Sequence, residues 1–309
     1  MSVMRSVLLA ASQNRWLRER AANYTFVRRS VSRFIPGETM GDALGAAAAL
    51  KSKKIGAVLT HLGENVADRE EAQRVADHYL EVLLQIRAEA QDSEISVKLT
   101  QLGLDLSAEL CFEHVKTIVG AERRESTVWI DMEASNYVDA TLEVYRRALR
   151  MFPNVGICLQ AYLYRTAKDV EALLPLRPAI RLVKGAYREP ADNAYPAKAD
   201  VDRSYLELAK KLLTAQAAGQ CYRVAVATHD VEMIARIQEF ARQNGIAKEK
   251  IEVQMLYGIQ RGEQEKLAAE GCRMAVLISY GTYWYPWFVR RLAERPANLW
   301  FMLRNVFVG

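Results

Sequence analysis

Eight short, β-rich apolar runs recur along this chain, and their spacing limits its fold more than any other feature. They are IGAVLTHLG (55–63), ISVKLTQLG (95–103), TVWIDMEAS (127–135), VGICLQAYL (155–163), AIRLVKGAY (179–187), YRVAVATHD (222–230), IEVQMLYG (251–258) and CRMAVLISYG (272–281). Most begin nearly continuously apolar, as parallel strands covered by helices on both faces do. Between them lie segments whose apolar residues recur every three or four positions, clearest in ADREEAQRVADHYLEVLLQIRAEA, VDATLEVYRRALRMF and DRSYLELAKKLLTAQAA. Eight such alternations predict an α/β fold, a (β/α)8 TIM-like barrel. The rival is an open doubly wound sheet. A G-x-G-x-x-G turn after the first strand would favour it, and none is present. Residues 1–54 read as N-terminal helices packed on the barrel, in SQNRWLRERAANYTFVRRSVSRF and TMGDALGAAAALKSKK. Residues 55–309 form the barrel itself.

Composition excludes several classes. A formal charge of +5 over 309 residues, with no run of like charges, does not make a nucleic-acid-binding surface. No stretch approaches the ~20 apolar residues of a membrane span, and VLLAA near the N-terminus is too short for a signal-peptide core. Cys111, Cys158, Cys221 and Cys272 form no C-x-x-C pair and read as buried, reduced thiols of a cytosolic protein.

Catalytic groups of such barrels gather at the C-terminal ends of the strands, and seven runs place polar residues there. The first has His61 and Glu64, the second Lys98, the third Asp131 and Glu133, the fourth Gln160 and Tyr162. The fifth has Arg181, Lys184 and Tyr187, the sixth Thr228, His229 and Asp230, the seventh Gln254 and Tyr257. Each alone has a structural explanation: Lys98 paired with Asp131 across adjacent strands, His229 as a structural donor. Together they mark a site, because buried charge is costly unless it is paired or used. Beyond the last run, YPWFVRRLAERPAN (285–298) sets Arg290 beside Arg291 with Glu294 one helical turn on. The planar forks of two arginines suit a carboxylate. A solvated surface pair is the plainer reading of the same residues.

The motifs VKLTQLG, WIDME, LQAY, RLVKGAY, ATHD, QMLYG and FVRRLAERPAN, in this order, resemble those of the bacterial proline dehydrogenases, including the corresponding domain of proline utilisation A proteins. The resemblance covers about residues 55–300. It implies a distorted (β/α)8 barrel with FAD at the C-terminal face. The implied activity is oxidation of L-proline to Δ1-pyrroline-5-carboxylate, with electrons passing to a membrane quinone. Arg290 and Arg291 would then clamp the proline carboxylate beside Lys98, and Glu294 would brace the clamp. Tyr187 and Leu256 would pack on the pyrrolidine ring. Asp131 would lie under the site and Arg181 near flavin N5. Met132, Gln160, Lys184, Gly185, Ala186, Thr228, His229 and Gln254 would complete the FAD site. No metal is implied.

The chain departs from the family pattern twice. Leu277 and Trp287 stand where relatives carry tyrosines. Leu277 removes a hydroxyl from the wall around the ring, so hydroxyproline or another substituted proline is the alternative substrate. Two further readings stay open: a divalent metal held by His61, Asp131, Glu133 and His229 for a lyase or hydrolase, and a binding-only barrel. The tail NLWFMLRNVFVG (298–309) reads first as a cover over the barrel mouth or its last helix, and second as a peripheral contact with the membrane.

Overall fold

The fold is a closed barrel of eight parallel strands in chain order, β1 pairing β2 and so on until β8 returns to β1. The computed structural model describes residues 31–89, 91–123 and 125–285. The strands are β1 Gly56–His61, β2 Ser93–Val97, β3 Val128–Ile130, β4 Val155–Gln160, β5 Ala179–Val183, β6 Arg223–Ala227, β7 Glu252–Leu256 and β8 Arg273–Tyr280. Seven lie inside the apolar runs, and β2 starts two residues before its run, at Ser93. The runs are longer because their last, polar residues leave the sheet: Lys98, Asp131, Lys184 and Thr228 each sit immediately beyond a strand.

The helices are α1 Met40–Lys51, α2 Arg69–Ala88, α3 Ala108–Ala121, α4 Val138–Met151, α5 Thr166–Leu173, α6 Lys198–Ala217, α7 Val231–Gln243 and α8 Arg261–Ala269. Local chemistry sets several starts. Thr39 and Asp42 form a reciprocal capping box before α1, and Asp68, Ser107 and Asp230 cap α2, α3 and α7. Helix α1 packs on β1 and β8, so it fills the wall where the barrel closes. The preceding turn is seated on the strand ends. Arg261 donates to the Arg33 carbonyl at 3.3 Å, and Trp284 Nε1 donates to Glu38 at 2.9 Å. The longer helix expected within 12–34 falls mostly outside the described residues.

Two cores result. The large one lies between sheet and helices and includes Leu59, Tyr79, Ile118, Tyr145, Tyr205 and Ile237. The small one lies inside the barrel, where Val58, Ala179, Ala225 and Ala275 surround the fully buried Trp129. Gly156 makes that possible: a Cβ there would lie 2.6 Å from the Trp129 ring. Beneath Trp129 the barrel floor is ionic. Arg223 donates to Glu94 at 2.5 and 3.0 Å and to Glu252 at 2.6 and 2.8 Å.

Candidate active site

Arg181, on β5, points into the barrel and is 3% exposed. Its Nη1 donates to Asp131 Oδ1 at 3.0 Å and to Ser96 Oγ at 2.9 Å. The same serine hydroxyl donates to Asp131 Oδ1 at 2.7 Å, which closes a triangle across β2, β3 and β5. Nε and Nη2 of Arg181 are buried with no acceptor among the described residues. Buried charged donors left unmatched are costly, so an electron-rich group laid against them would be strongly favoured.

The partner expected for Asp131 was Lys98, and here the structure differs. Arg181 takes that place. Lys98 stands one residue past β2, half-buried, and makes no hydrogen bond or ion pair among the described residues. Its charge bears on His61 and Glu133 instead.

Gln160 ends β4. Its Nε2 donates to the carbonyls of Met132 and Glu133 at 3.0 and 2.7 Å, while its Oε1 is buried and unmatched. This fixes the turn after β3 and leaves Met132 buried beside it. The Glu133 carboxylate accepts from Thr100 N at 3.0 Å and Thr100 Oγ1 at 2.6 Å. Burial raises its pKa, and those two bonds pull the other way.

After β5 the chain turns sharply. Lys184 Nζ lies between Asp202 on α6 at 2.5 Å and Asp230 at 2.8 Å. Burial pushes both carboxyl groups up, but Lys184 and Lys198 together, with the Met233 backbone N–H at Asp230, outweigh it and hold them below the usual range. Gly185 has φ +125°, and any Cβ there would run into the Tyr162 ring. Glycine is therefore required where this turn crosses Tyr162. Ala186 is exposed and Tyr187 half-buried. The segment is strapped down by Glu189, which accepts from Ser135 N at 2.8 Å and from Ser135 Oγ.

Thr228 is buried past β6, its Oγ1 accepting from Asp230 N at 3.2 Å. His229 Nε2 accepts from Leu256 N at 2.9 Å, which assigns the ring proton to Nδ1. Leu256 and Leu277 are register partners on β7 and β8, both half-buried, and form an apolar wall. Gln254 points elsewhere: its Nε2 donates to Glu252 at 2.6 Å and belongs to the floor. His61, at the end of β1, packs against His78 in a tilted ring contact, with centroids 4.6 Å apart and planes 50° apart. Its pKa is lowered to about 4, by burial first and then by His78 and Lys98. Among the described residues no three His, Cys, Asp or Glu side chains gather as a metal site. Arg290, Arg291, Glu294 and Trp287 lie outside the described residues.

Sequence reasoning missed Ser96, Asp202 and the Glu94–Arg223–Glu252 floor. The floor had a signal: SEISV, YRVAV and IEVQM each put a charge in the first turn-to-strand positions of an apolar run.

The proline dehydrogenase family model matches residues 43–304. The chain belongs to the proline dehydrogenase family. It is 39% identical over 306 residues to proline dehydrogenase 1 of Bacillus subtilis (strain 168), covering 98% of this chain and 99% of that one. It is 38% identical over 283 residues to the proline dehydrogenase of Deinococcus radiodurans, with 90% of each chain covered. Among solved structures, proline utilization A from Bdellovibrio bacteriovorus, inactivated by N-propargylglycine, superposes with a TM-score of 0.81 at 26% identity. That match covers 87% of this chain and 33% of the other, so the chain spans about a third of the bifunctional protein. Family and fold both agree with what the motif order implied.

Proposed function

We propose that this chain is an FAD-dependent proline dehydrogenase that oxidises L-proline to Δ1-pyrroline-5-carboxylate and delivers the electrons to a quinone. The observation that carries the cofactor reading is Arg181: a buried cation, anchored by Asp131 through one nitrogen, with two donors unmatched. The residues fit FAD in two further respects. Gln160 offers an unmatched buried carbonyl, and the Gly185 turn brings bare backbone to the barrel mouth. FAD, when bound, supplies an acceptor at N5 for the hydride leaving C5 of the proline ring.

The protein's own contribution is geometry and charge. Arg181 lies where negative charge arrives, and Asp131 holds it there. Met132, Gln160, Lys184, Gly185, Ala186, Thr228 and His229 frame the cofactor. Gln254 supports that frame from the floor through Glu252. Leu256 and Tyr187 wall the substrate ring. Arg290, Arg291 and Lys98 take its carboxylate, with Glu294 bracing the arginines. Holding both ends of the ring keeps C5 at near-attack distance. A neutral amine gives up hydride more readily than an ammonium, and the cations Lys98 and Arg181 disfavour the ammonium by like-charge repulsion. We propose the same division of the chain, with residues 1–54 as helices packed on a catalytic barrel of 55–309. We place the protein in the cytoplasm, peripheral on the inner face of the membrane that holds the quinone. No described helix is long and apolar enough to cross a membrane.

Leu277 favours a second substrate. It faces the barrel interior beside Leu256 and offers no hydroxyl, so the wall is wholly apolar there. A proline carrying a substituent gains room but no hydrogen bond, which keeps L-proline first.

The test is anaerobic. The purified protein's visible spectrum is recorded, and L-proline is added. Bleaching of a flavin spectrum is expected. A flavin that stays oxidised with L-proline but bleaches with hydroxyproline moves the substrate. A protein that takes up no flavin when FAD is supplied overturns the reading.

A further inference from the structure

Trp129 does something no role above gives it. Its ring lies under the guanidinium of Arg181, 4.6 Å from centroid to Cζ. The Arg223 guanidinium of the floor lies against the same ring, 5.0 Å from its centroid. The two arginines come from successive rows of the barrel: Ala179 is the register partner of Arg223, and Arg181 that of Ala225. The indole is locked in turn. Its Nε1 donates to Glu94 Oε2 at 2.9 Å, and Glu94 is fixed by Arg223. Bare Gly156 leaves the indole its space.

We propose that Trp129 is the positioning residue for Arg181. Asp131 and Ser96 hold one guanidinium nitrogen, which fixes a point and not an orientation. The π face of Trp129 supplies the second restraint, because a cation over an aromatic ring in a dry interior is strongly attracted. The remaining two nitrogens then face a single direction. The Glu94–Arg223–Glu252 floor thereby acts on the chemistry from below, through the indole. This inference rests on the reading of Arg181 as the cation beside FAD.

The experiment replaces Trp129 with tryptophans carrying one to four fluorines at that codon alone. Shape is kept while charge is withdrawn from the ring face. Trp129→Leu removes the face altogether. In the FAD-loaded enzyme, the flavin midpoint potential, FAD retention and the kcat and KM for L-proline are measured. The expected result is a potential that falls stepwise with fluorine number. Trp129→Leu should shift the reduction equilibrium about tenfold, about 30 mV for two electrons. The KM should stay within about twofold. The same fluorination series in an Arg181→Met background should be flat, since the coupling partner is gone. A potential that does not fall in a flavin-loaded, proline-reducible enzyme, or an equal slope without Arg181, overturns the inference alone. If Trp129→Leu does not fold, the fluorinated series decides. A wild-type protein that takes up no flavin overturns the functional reading and this inference together.

Discussion

Arg181 and Asp131 meet inside the barrel at 3.0 Å, with only 4% and 18% of their side chains exposed. Taking one charge from such a pair leaves the other uncompensated, at a cost of about 3–5 kcal/mol. Asp131→Asn keeps the shape and removes the charge. We expect the flavin-free variant to melt well below wild type, and saturating FAD to raise the melting temperature more in the variant than in the wild type. Melting curves with and without FAD check this. An unchanged flavin-free Tm would show that the pair does not compensate Arg181.

The barrel floor makes a stability prediction. Arg223 neutralises Glu94 and Glu252 at once, and both the guanidinium and Glu252 are nearly inaccessible. Arg223→Met leaves two buried carboxylates facing each other. A loss of about 3–5 kcal/mol is expected in urea unfolding. The sign with pH follows from Glu252. Burial pushes its pKa up, but Arg223's charge and hydrogen bonds outweigh this and lower it below 4.5. The unfolded chain therefore binds the proton first as pH falls. Glu252's contribution is present above about pH 4.5 and is lost in stronger acid. In Arg223→Met this acid-limb contribution should vanish, and mildly acidic pH should stabilise the variant relative to neutral pH.

His61 titrates on the other side. Burial, His78 and Lys98 lower its pKa from 6.5 to about 4. The unfolded chain binds the extra proton between those values, so stability falls as pH drops through that window. With its partial exposure the contribution is about 1–2 kcal/mol. His61→Gln should flatten the slope of stability against pH between about 4 and 6.5. Urea midpoints at pH 7 and 4.5 test it; equal slopes in both proteins would refute the assignment to His61.

How much of this was legible follows from which interactions leave a local trace. Two-sided burial does: parallel strands between helices must be apolar throughout, so all eight runs could be read. A charge inside such a run also stands out, which is how Lys98, Asp131 and Arg181 were found. Pairing leaves none. Asp131 and Arg181 are 50 residues apart, and only the barrel's register brings Arg181 rather than Lys98 to the carboxylate. Lys184 finds Asp202 because α6 folds back over β5. Helix α1 completes the wall between β8 and β1, yet its periodicity does not say which groove it fills. The charged starts of β2, β6 and β7 were visible but unread, because attention to the catalytic end of a barrel passes over its floor.

The arginine pair gives the last prediction. FVRRLAERPAN sets Arg290 and Arg291 three to four residues before Glu294 in sequence, and a guanidinium that binds a carboxylate through two parallel bonds is not replaced by an apolar side chain of similar length. Arg291→Met should therefore weaken proline binding by about 1.5–3 kcal/mol, a KM raised roughly tenfold to a hundredfold. FAD content should not change, because the proposed cofactor contacts lie at the ends of β3 to β7 and in the turns that follow those strands, not in the segment after β8. Steady-state kinetics with L-proline, beside the flavin-to-protein absorbance ratio, separates the outcomes. A raised KM with full flavin supports the clamp. An unchanged KM removes Arg291 from it, and lost flavin moves the residue to the cofactor side of the site.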